Sequence, residues 1–555
     1  MSAKRALNGW SVLLALALAA CGGDGGGGGQ GGAGQDAGKD AGPPQPGGTA
    51  VITVSADFQT FNPVVNTHLT TDDVIKHMLF TPPIQYDEKL QPKPWLAQSW
   101  ELSDTAVTFK LRSDVRWHDG RPVTAEDVKF TFDLAKDPAS ASLLGSAYLT
   151  LVKSATVVDP QTIRFAFESP HAQALDGFWW PPLPKHLLEG VQPAQLSQHP
   201  FNRQPVGSGP FRFGAWQPNQ SLTLEANPQF SAELGGPPNL ERVVFRIVPE
   251  ATTMVTELLG GTTDVAAYTL QPDQAKQIES QGGQGVSLRH HPAREFTFIA
   301  WNNTRPLFAD ANVRRALTMA IDRKQIVDAL LQGFAVQAHG MIPPWSPMYT
   351  DIGALPFDPA QAQQLLQAAG WRDTNGDKIL DKGGQPFRFT LLVNSANRLH
   401  QDMATVIQQQ LAQVGVGIEI RTQEFQSMLQ QYKARQYDGV IANWSLDTFK
   451  VDPTPIFSCA ESRVANSANR TGYCNPAVDQ LMQQGLRTTD PAAAKGIWER
   501  FSRQLQADQP MTFLYWIEDL GGVGPRLRNV EMDARSKIVN IGEWWIPSDM
   551  RRGGR

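Results

Sequence analysis

Hydrophobic and polar residues alternate with two different periods along the chain, which predicts a mixture of strands and helices. The strings AVITVS at residues 50–55 and AVTFKLR at residues 106–112 are typical of strands, the second because its apolar and polar positions alternate with a period of two. Apolar residues recur three and four positions apart in residues 313–331 and 402–415, which predicts two amphipathic helices. The string GIEIRTQEF, shortly after the second helix, predicts another strand. This recurrence indicates mixed α/β layers.

A turn and a helix start follow the strand at residues 106–112. Asp119 and Gly120 form an Asp-Gly turn, and Thr124 stands where the N-cap of a helix is expected. Asp127, three residues later, completes an approximate capping box, in which two side chains satisfy free N–H groups of the first turn. We therefore expect a helix that begins just after Thr124.

The start of the chain predicts export. Lys4 and Arg5 precede an apolar stretch, residues 12–20, which is too short to cross a bilayer, and this order is typical of a secretory signal peptide. The string LAAC, which ends at Cys21, resembles the lipid-attachment motif of bacterial lipoproteins. The resemblance implies removal of residues 1–20 and a diacylglyceryl group on the Cys21 sulfur. A buried N-terminal helix that ends at a chance cysteine is the alternative.

Residues 22–48 are rich in glycine and carry no apolar side chain beyond alanine and proline. Such a segment cannot offset its ordering entropy, so we expect residues 21–48 to form a flexible tether between a lipid anchor and a soluble body. This layout places the body on the periplasmic side of the cell envelope, with the anchor as its only membrane contact. Because Gly22 and not aspartate follows Cys21, the sequence leaves open whether the inner or the outer membrane carries the anchor.

Composition excludes several classes of protein. The 555 residues suffice for roughly three or four domains, and no apolar run approaches the ~20 residues of a membrane-spanning helix. The formal net charge of −5 gives no reason to expect nucleic acid as a partner. Three cysteines are too few for a disulfide scaffold or a four-thiolate zinc site. Cys459 and Cys474 suggest one disulfide in an exported chain, with two free thiols as the alternative.

Motifs of catalysis and cofactor binding are missing from the sequence. It contains no HExxH, GxSxG, Walker or CxxC motif, so we expect no enzyme, no cofactor and no metal site. The glycines of Gly207-Ser208-Gly209-Pro210 precede a strand-like string, whereas a phosphate loop opens a helix, so a tight strand entry is predicted. The loop from Asp373 to Asp381 has oxygens in a calcium-loop register, but Lys378 stands where such loops need glycine. An Asx-rich turn is favoured there, and calcium stays open.

Five strings follow one another in the body of the chain: TFKLRSDVRWHDGRPVTAEDVKFTF (108–132), PVGSGPFRFGAWQPNQSLTLEANPQF (205–230), ELLGGTTDVAAY (257–268), WNNTRPLFADANVRRALTMAIDRKQIV (301–327) and GWRDTNGDKILD (370–381). In this order they resemble family 5 of the extracellular solute-binding proteins, which are dipeptide, oligopeptide and nickel receptors of ABC importers. The resemblance covers the chain from about residue 50 to the C-terminus.

The resemblance implies an α/β fold of the periplasmic-binding-protein (Venus flytrap) type, with two lobes hinged by two crossing strands and an extra domain inserted in the N-terminal lobe. Closure of the lobes would bury the ligand between them. The implied limits are 50–86, 203–297 and 515–546 for domain I, 87–202 for the inserted domain II, 298–514 for domain III, and 296–301 and 512–516 for the crossings.

Peptide receptors of this family pair the ligand α-ammonium with an aspartate that shortly follows a strand ending in tryptophan. Trp444 and Asp447 match these positions, and an ammonium group buried on closure needs a carboxylate partner. The stretch from Asp447 to Asp452 is longer than in the family, so a solvated loop acid is the alternative. The strings around Cys459 and Cys474 resemble the disulfide loop of dipeptide receptors, which implies that these cysteines are paired.

Further ligand contacts follow from the same resemblance. Arg398 lies near, but offset from, the arginine with which dipeptide receptors bind the ligand carboxylate. Phe58, Trp301 and Trp444 are the candidates to line the cleft, with a place in the core as the alternative for each. The resemblance thus implies a monomer that captures peptides and passes them to the permease subunits of an ABC importer. An oligosaccharide, an opine-like molecule or a nickel chelate remains the alternative ligand, and presentation of ligand to a signalling sensor the alternative role.

Overall fold

The protein is described by a computed structural model over residues 43–267, 270–281, 285–446 and 448–552. The strands of these ranges are β1 (Thr49–Val54), β2 (Ile84–Tyr86), β3 (Pro92–Pro94), β4 (Ala97–Ser103), β5 (Ala106–Leu111), β6 (Val152–Asp159), β7 (Thr162–Phe167), β8 (Phe211–Gln217), β9 (Ser221–Ala226), β10 (Arg242–Ile247), β11 (Val265–Ala266), β12 (Ser287–Trp301), β13 (Ala335–Gln337), β14 (Asp381–Lys382), β15 (Gln385–Pro386), β16 (Arg388–Asn394), β17 (Gly417–Gln423), β18 (Gly439–Ser445) and β19 (Met511–Val523).

The α-helices of the same ranges alternate with the strands, and a short π-helix (Ile75–Leu79) continues the first of them. Among the described residues, no helix is both long and apolar enough to cross a membrane. The helices are α1 (Leu69–Val74), α2 (Ala125–Lys136), α3 (Leu143–Ala147), α4 (Lys185–Leu188), α5 (Ala251–Leu259), α6 (Pro272–Gln281), α7 (Ala311–Met319), α8 (Arg323–Leu330), α9 (Pro359–Ala368), α10 (Arg398–Ala412), α11 (Phe425–Lys433), α12 (Thr454–Phe457), α13 (Cys459–Ser462), α14 (Pro476–Arg487) and α15 (Pro491–Asp508).

One large sheet runs through the body in the order β17-β16-β18-β12-β19-β11-β1-β10-β9-β8, and β13 also pairs with β19. β12 and β19 are antiparallel and pair along nearly their whole length, from Ser287 opposite Val523 to Ala300 opposite Met511. β18 pairs only with the second part of β12, starting at Glu295, whereas β11 pairs with the last residues of β19. The two long strands therefore join two halves of the sheet.

We call the part of the chain around β1 and β8–β11 the N-terminal lobe, and the part around β16–β18 the C-terminal lobe. Between them the ladder of β12 and β19 is irregular, because its register shifts between Pro292 and Phe296. Proline has no N–H to donate to a ladder, which accounts for an interruption at this point. The segments 296–301 and 512–516, expected to cross between the lobes, lie within these two strands.

A separate four-stranded antiparallel sheet, in the order β4-β5-β7-β6, is formed by the chain between β3 and β8. Its core contains the rings of Phe109, Phe165 and Phe178, whose centroids lie 4.8–6.1 Å apart. This core is continuous with that of the N-terminal lobe, whereas the apolar cores of the C-terminal lobe are separate clusters. The four-stranded sheet therefore packs as part of the N-terminal lobe.

Several predicted elements are confirmed. The strands expected at residues 50–55 and 106–112 are β1 and β5, and the string GIEIRTQEF forms β17. The capping box at the start of α2 is present, and the Thr124 N–H donates to Asp127 Oδ2 at 2.8 Å. The helix expected over residues 402–415 is α10, which begins earlier because the Asn397 side chain caps it by accepting from the third N–H along.

The single helix predicted over residues 313–331 is wrong, because the chain forms α7 and α8 with a break between them. Asp322 lies in the break and caps α8, since its side chain accepts from the Gln325 N–H at 2.9 Å. The Asp322 N–H is bonded to the Gln410 side chain of α10, 3.0 Å away, and not to a preceding turn of α7. Apolar spacing persists through both helices, which is why periodicity alone did not reveal the break.

The glycines at residues 207–209 are explained by a close approach of two backbones, as expected for a tight strand entry. A Cβ atom on Gly207 or Gly209 would collide with the carbonyl oxygens of Leu79 or Met78, at the end of the π-helix. The N–H groups of Ser208 and Gly209 both donate to the Leu79 carbonyl at 2.9 Å. The absence of a Cβ atom at Gly207 and Gly209 therefore lets the segment before β8 pack directly on the end of the π-helix.

A buried carboxyl group lies where the four-stranded sheet meets the N-terminal lobe. Asp176 accepts a hydrogen bond from the Tyr86 hydroxyl, and burial raises the Asp176 pKa to about 6 although Tyr86 and Lys450 oppose the shift. His171 lines the same small cavity, and burial lowers its pKa to about 4. The pocket thus favours the neutral forms of both groups.

Cys459 and Cys474 are joined by a disulfide, as the resemblance implied. The bridge closes a loop with a sequence separation of 15, so its removal through Cys459→Ser with Cys474→Ser is expected to lower the free energy of unfolding by roughly 3 kcal/mol. Urea-induced unfolding under oxidising conditions measures the difference. Reducing agent should destabilise the unchanged protein similarly and leave the double variant unaffected. Equal stability of the two oxidised proteins would contradict the expectation.

The raised pKa of Asp176 predicts a pH-dependent contribution to stability. Between its unfolded pKa of about 4 and its folded pKa of about 6, the folded state binds the proton more tightly, so this contribution is lost as the pH rises. Asp176→Asn keeps an acceptor for Tyr86 but cannot titrate. Its stability relative to the unchanged protein should therefore improve by about 2–3 kcal/mol from pH 4 to pH 7.

Urea-induced unfolding of both proteins across this pH range measures the change. Only the difference between the two proteins is informative, because His171, Lys450 and Tyr148, which also line the cavity, are present in both. A difference that stays constant with pH would show that Asp176 does not titrate in this way.

Candidate ligand-binding site

A cavity of about 400 Å³ lies where β12 and β19 pass between the lobes. Its size falls in the range of about 300–1,000 Å³ that is usual for ligand sites. Both lobes and both crossing strands contribute to its walls, so a relative movement of the lobes would change its shape. The polar and apolar lining includes Ser55 and Asp73 from the N-terminal lobe, Arg294, Glu295 and Asp519 from the crossing strands, and Leu446 from the C-terminal lobe.

Glu295 presents an oriented carboxylate to this cavity. It lies within the register shift of β12, between Pro292 and Phe296, and it is paired with Ser445, the last residue of β18. The Ser445 hydroxyl donates to Oε2 at 2.6 Å, and the Asn443 amide donates to Oε1 at 2.9 Å. Each carboxylate oxygen is thus held by a neutral donor, which fixes the geometry without neutralising the charge.

Other charges around the cavity are paired with groups of the protein. Lys537 lies 2.9 Å from Asp519 Oδ1, and His291 lies 3.7 Å from Oδ2. Burial acts to raise the Asp519 pKa, but Lys537 and His291 outweigh it, so that the pKa is lowered. On the same strand Glu518 accepts from His290 at 2.6 Å and raises the His290 pKa. These pairs fix the crossing strands and leave little uncompensated charge on β19.

A second, smaller cavity of about 50 Å³ adjoins the first at Leu446 and is mainly apolar. Trp444 and Trp345 line it, together with Phe449. Trp444 is half-buried, and its ring also faces the guanidinium group of Arg470, 5.7 Å from the centroid. The predicted cleft position of Trp444 therefore lies on the wall of a cavity in the described structure.

The segment after β18 connects the two lobes directly. The Phe449 ring packs between Tyr86 and Trp179 of the N-terminal lobe, with centroids 4.8 and 5.2 Å away, and it meets Trp345 edge-on at 5.4 Å. The Val451 N–H donates to the Gln173 side-chain oxygen at 2.9 Å. A side chain of the C-terminal lobe thus belongs to the apolar core of the N-terminal lobe.

The remaining predicted site residues have other surroundings. Asp447 lies outside the described residues, although both of its neighbours line cavities. Trp301 is fully buried in the C-terminal lobe, where its N–H donates to the Thr512 hydroxyl at 3.0 Å and its ring stacks on Phe308. Packing and this hydrogen bond account for Trp301, which lines none of the cavities described above.

Phe58 and Arg398 also lie away from these cavities. Phe58 is buried in the N-terminal lobe, with its ring edge-on to Phe245 at 5.5 Å. Arg398 is 82% exposed at the start of α10 and pairs with Asp402 of the same helix at 2.9 Å. Burial of Phe58 leaves no face for a ligand, and the helical pairing of Arg398 is typical of a solvated surface.

Sequence reasoning missed Glu295, Trp345 and Phe449. Arg294 and Glu295 directly precede the mainly apolar run Phe296–Trp301 of β12, and this charged pair at the start of a buried strand segment was the available signal. No comparable signal marked Phe449, because a phenylalanine that bridges two lobes has the same local sequence as one in a core.

In the loop from Asp373 to Asp381, the two end carboxylates accept hydrogen bonds from other groups of the same loop. Asp373 accepts from the N–H groups of Gly376 and Lys378 at 2.7 and 3.0 Å, and Asp381 accepts from Thr374. This is the Asx-rich turn that the sequence favoured. Within the described ranges, no three His, Cys, Asp or Glu side chains are grouped so as to hold a metal ion.

Comparison with known sequences gives consistent matches. Residues 91–465 match the profile of the bacterial extracellular solute-binding proteins, family 5 Middle. The chain is 32% identical over 557 residues to the oligopeptide-binding protein AppA of Bacillus subtilis, and the match covers 98% of this chain and 99% of that protein. It is 26% identical over 510 residues to the glutathione-binding protein GsiB of Shigella dysenteriae, covering 90% and 92% respectively.

Solved structures agree in fold. The oligopeptide-binding protein AppA of B. subtilis, in complex with a nonapeptide, superposes with a TM-score of 0.73 at 29% identity and covers 91% of this chain and 100% of its own. The substrate-binding protein CtaP of Listeria monocytogenes gives a TM-score of 0.79 at 21% identity, with the same coverage. The chain therefore belongs to the bacterial extracellular solute-binding proteins of family 5 and has their two-lobed α/β fold.

Proposed function

We propose that this protein is the substrate-binding component of an ABC importer and that it captures peptides between its two lobes. The observation that carries the proposal is full-length similarity, at 32% identity, to an oligopeptide-binding protein. The cavity at the crossing strands supports it, because both lobes line that cavity and a ligand there would contact both. Contacts that exist only when the lobes are closed would favour the closed form, which a transporter can distinguish from the empty receptor.

The proposed mode of binding combines one charged anchor with main-chain recognition. Asp447 is the proposed partner of the peptide α-ammonium, since its neighbour Leu446 lines both the 400 Å³ cavity and the adjoining smaller one. Trp444 supplies an apolar wall beside it. Hydrogen bonds to the peptide main chain are independent of sequence, and waters can fill unused space around side chains, so one cleft accepts many peptides. The proposal contains no catalytic step.

The domain limits stay part of this proposal. We assign residues 50–86, 203–297 and 515–546 to domain I, 87–202 to the inserted domain II and 298–514 to domain III. The boundaries near 297 and 515 would let each lobe move with its own part of β12 and β19. The separate sheet β4-β5-β7-β6 supports the inserted domain, because its strands all lie between residues 97 and 167.

Export and anchoring belong to the proposal as well. Cys21 lies outside the described residues, so the lipoprotein signal stands on the sequence alone. We propose that Cys21 carries a lipid and that the body is a monomer on the periplasmic side of the envelope. The tether expected over residues 21–48 ends earlier, because the Gly47 N–H donates to the Asn239 carbonyl at 2.7 Å and the Gln45 carbonyl accepts from Arg551 at 3.1 Å.

The ligand is tested directly by native mass spectrometry of protein lacking residues 1–48, purified without refolding. A ladder of peptide masses is expected. A saccharide, a metal chelate or one discrete small molecule would keep the family and overturn the peptide proposal. Neighbouring genes for two permeases and two ATPases would support import over the alternative role in signalling.

Asp447→Asn is expected to weaken binding of such a peptide by at least about 100-fold, because an ammonium group buried on closure would lose its carboxylate partner. Isothermal titration calorimetry measures the loss. Asp328→Asn is the matched control, since Asp328 pairs with Lys324 on an exposed helix surface and should be replaceable without effect. Unchanged affinity of Asp447→Asn, with its melting temperature intact, would remove Asp447 from the site.

Cys21→Ser is expected to abolish incorporation of labelled palmitate into the full-length chain and to shift the protein from the membrane to the soluble fraction, because lipid chains would be its only membrane contact. Cys474→Ser is the matched control and should remain labelled. Labelling of the Cys21→Ser protein would contradict the lipid anchor.

A further inference from the structure

The cavities between the lobes form a row, and Phe449 stands within it. The 400 Å³ cavity at the crossing strands meets the small apolar cavity at Leu446. The small cavity in turn meets a third one of about 380 Å³ at Phe449. This outer cavity lies between the four-stranded sheet and the C-terminal lobe, and it is lined mainly by apolar groups such as Leu175, Met348 and Trp498.

The Phe449 side chain is enclosed by aromatic and charged side chains of both lobes. It is 5% exposed, although it belongs to a loop between β18 and α12 and not to the core of its own lobe. Tyr86 and Trp179 contact it from the N-terminal lobe, Trp345 from the C-terminal lobe, and the Arg294 guanidinium group lies 5.5 Å from its ring centroid. Aromatic and cation–π contacts of this kind favour one fixed position of the ring.

The segment around Phe449 is fixed on both sides of the ring. The Val451 N–H is bonded to Gln173 of the N-terminal lobe. Lys450 pairs with Asp452 at 3.4 Å and also lines the separate pocket around Asp176 and His171. A second bond between the lobes, from the Ala172 N–H to the Leu486 carbonyl at 2.7 Å, lies beyond it. Phe449 is therefore part of an interface between the lobes that is made by the protein's own side chains and backbone.

We propose that Phe449 determines the length of the peptides that this protein binds. The ring closes the outer end of the cleft, so that a peptide anchored at the crossing strands ends before the outer cavity. The inference rests on the proposed function, and it names short peptides as the ligand class. The 400 Å³ cavity lies near the lower end of the range for ligand sites, which agrees with a short ligand. Removal of the ring would join the small cavity to the outer one.

The test uses Phe449→Ala and the unchanged protein, both lacking residues 1–48, with randomised synthetic peptide libraries of three, five and nine residues. Native mass spectrometry identifies the peptides retained, and calorimetry on selected peptides measures affinity. The unchanged protein should retain the shortest library best. Phe449→Ala should gain at least about tenfold in affinity for nine-residue peptides, equivalent to about 1.4 kcal/mol, and change little for three-residue ones. Phe425→Ala, an exposed aromatic position on α11, is the matched control and should behave as the unchanged protein.

The outcomes separate the two proposals. Equal retention of nine-residue peptides by the unchanged protein and Phe449→Ala would overturn the length limit and leave the peptide proposal intact, as would the same gain in Phe425→Ala. Failure of both proteins to retain peptides of any length would overturn the proposed function, and this inference with it. If circular dichroism shows Phe449→Ala to be unfolded, Gln173→Ala decides: loss of the Val451 anchor should give a smaller gain for nine-residue peptides, and no gain would overturn the inference.

Discussion

The antiparallel pairing of β12 with β19 is the constraint on which the rest of the structure depends. Each lobe extends the sheet from a different part of this pair, the C-terminal lobe through β18 and the N-terminal lobe through β11. The irregular register between Pro292 and Phe296 lies between these two attachments. Backbone hydrogen bonds are sparse at such a step, so a change of angle between the lobes costs least there. The position of the ladder defect therefore determines where the ligand cavity can open.

Contacts outside the ladder of β12 and β19 oppose opening. Phe449 packs on Tyr86 of the N-terminal lobe beside Arg294 of β12, and the Val451–Gln173 and Ala172–Leu486 bonds also join the lobes. A ligand shifts the equilibrium only by the contacts that it makes in one state and not in the other. When the protein's own contacts already stabilise the closed form, closure therefore requires less binding free energy from the ligand. The same contacts limit the space that the ligand can occupy. The segment around Phe449 thus affects both the stability of the closed form and the range of peptide lengths that can bind.

Much of the fold could be predicted from the sequence, because its elements depend on local signals. The strand alternation of β5, the capping box at Thr124 and Asp127, and the glycines before β8 are local features, and the structure contains each of them. The break between α7 and α8 was missed, because apolar spacing continues through it; Asp322, which caps α8, was its local signal, and the bond from the Asp322 N–H to Gln410 could not be foreseen. Likewise, the core position of Trp301 depends on Thr512 and Phe308, which apolar spacing does not reveal.

The candidate site was less predictable, because its chemistry depends on which charges meet across the lobes. Asp519 and Glu518 are acidic in the sequence but are paired with Lys537, His291 and His290 in the structure. Glu295 differs, since both oxygens are held by neutral donors of β18 and the negative charge remains. Because the other charged groups of the cavity are mostly paired within the protein, a ligand side chain needs no particular charge to fit there. Recognition then depends on the ligand's main chain and on shape, which is how a receptor can accept many sequences while limiting their length.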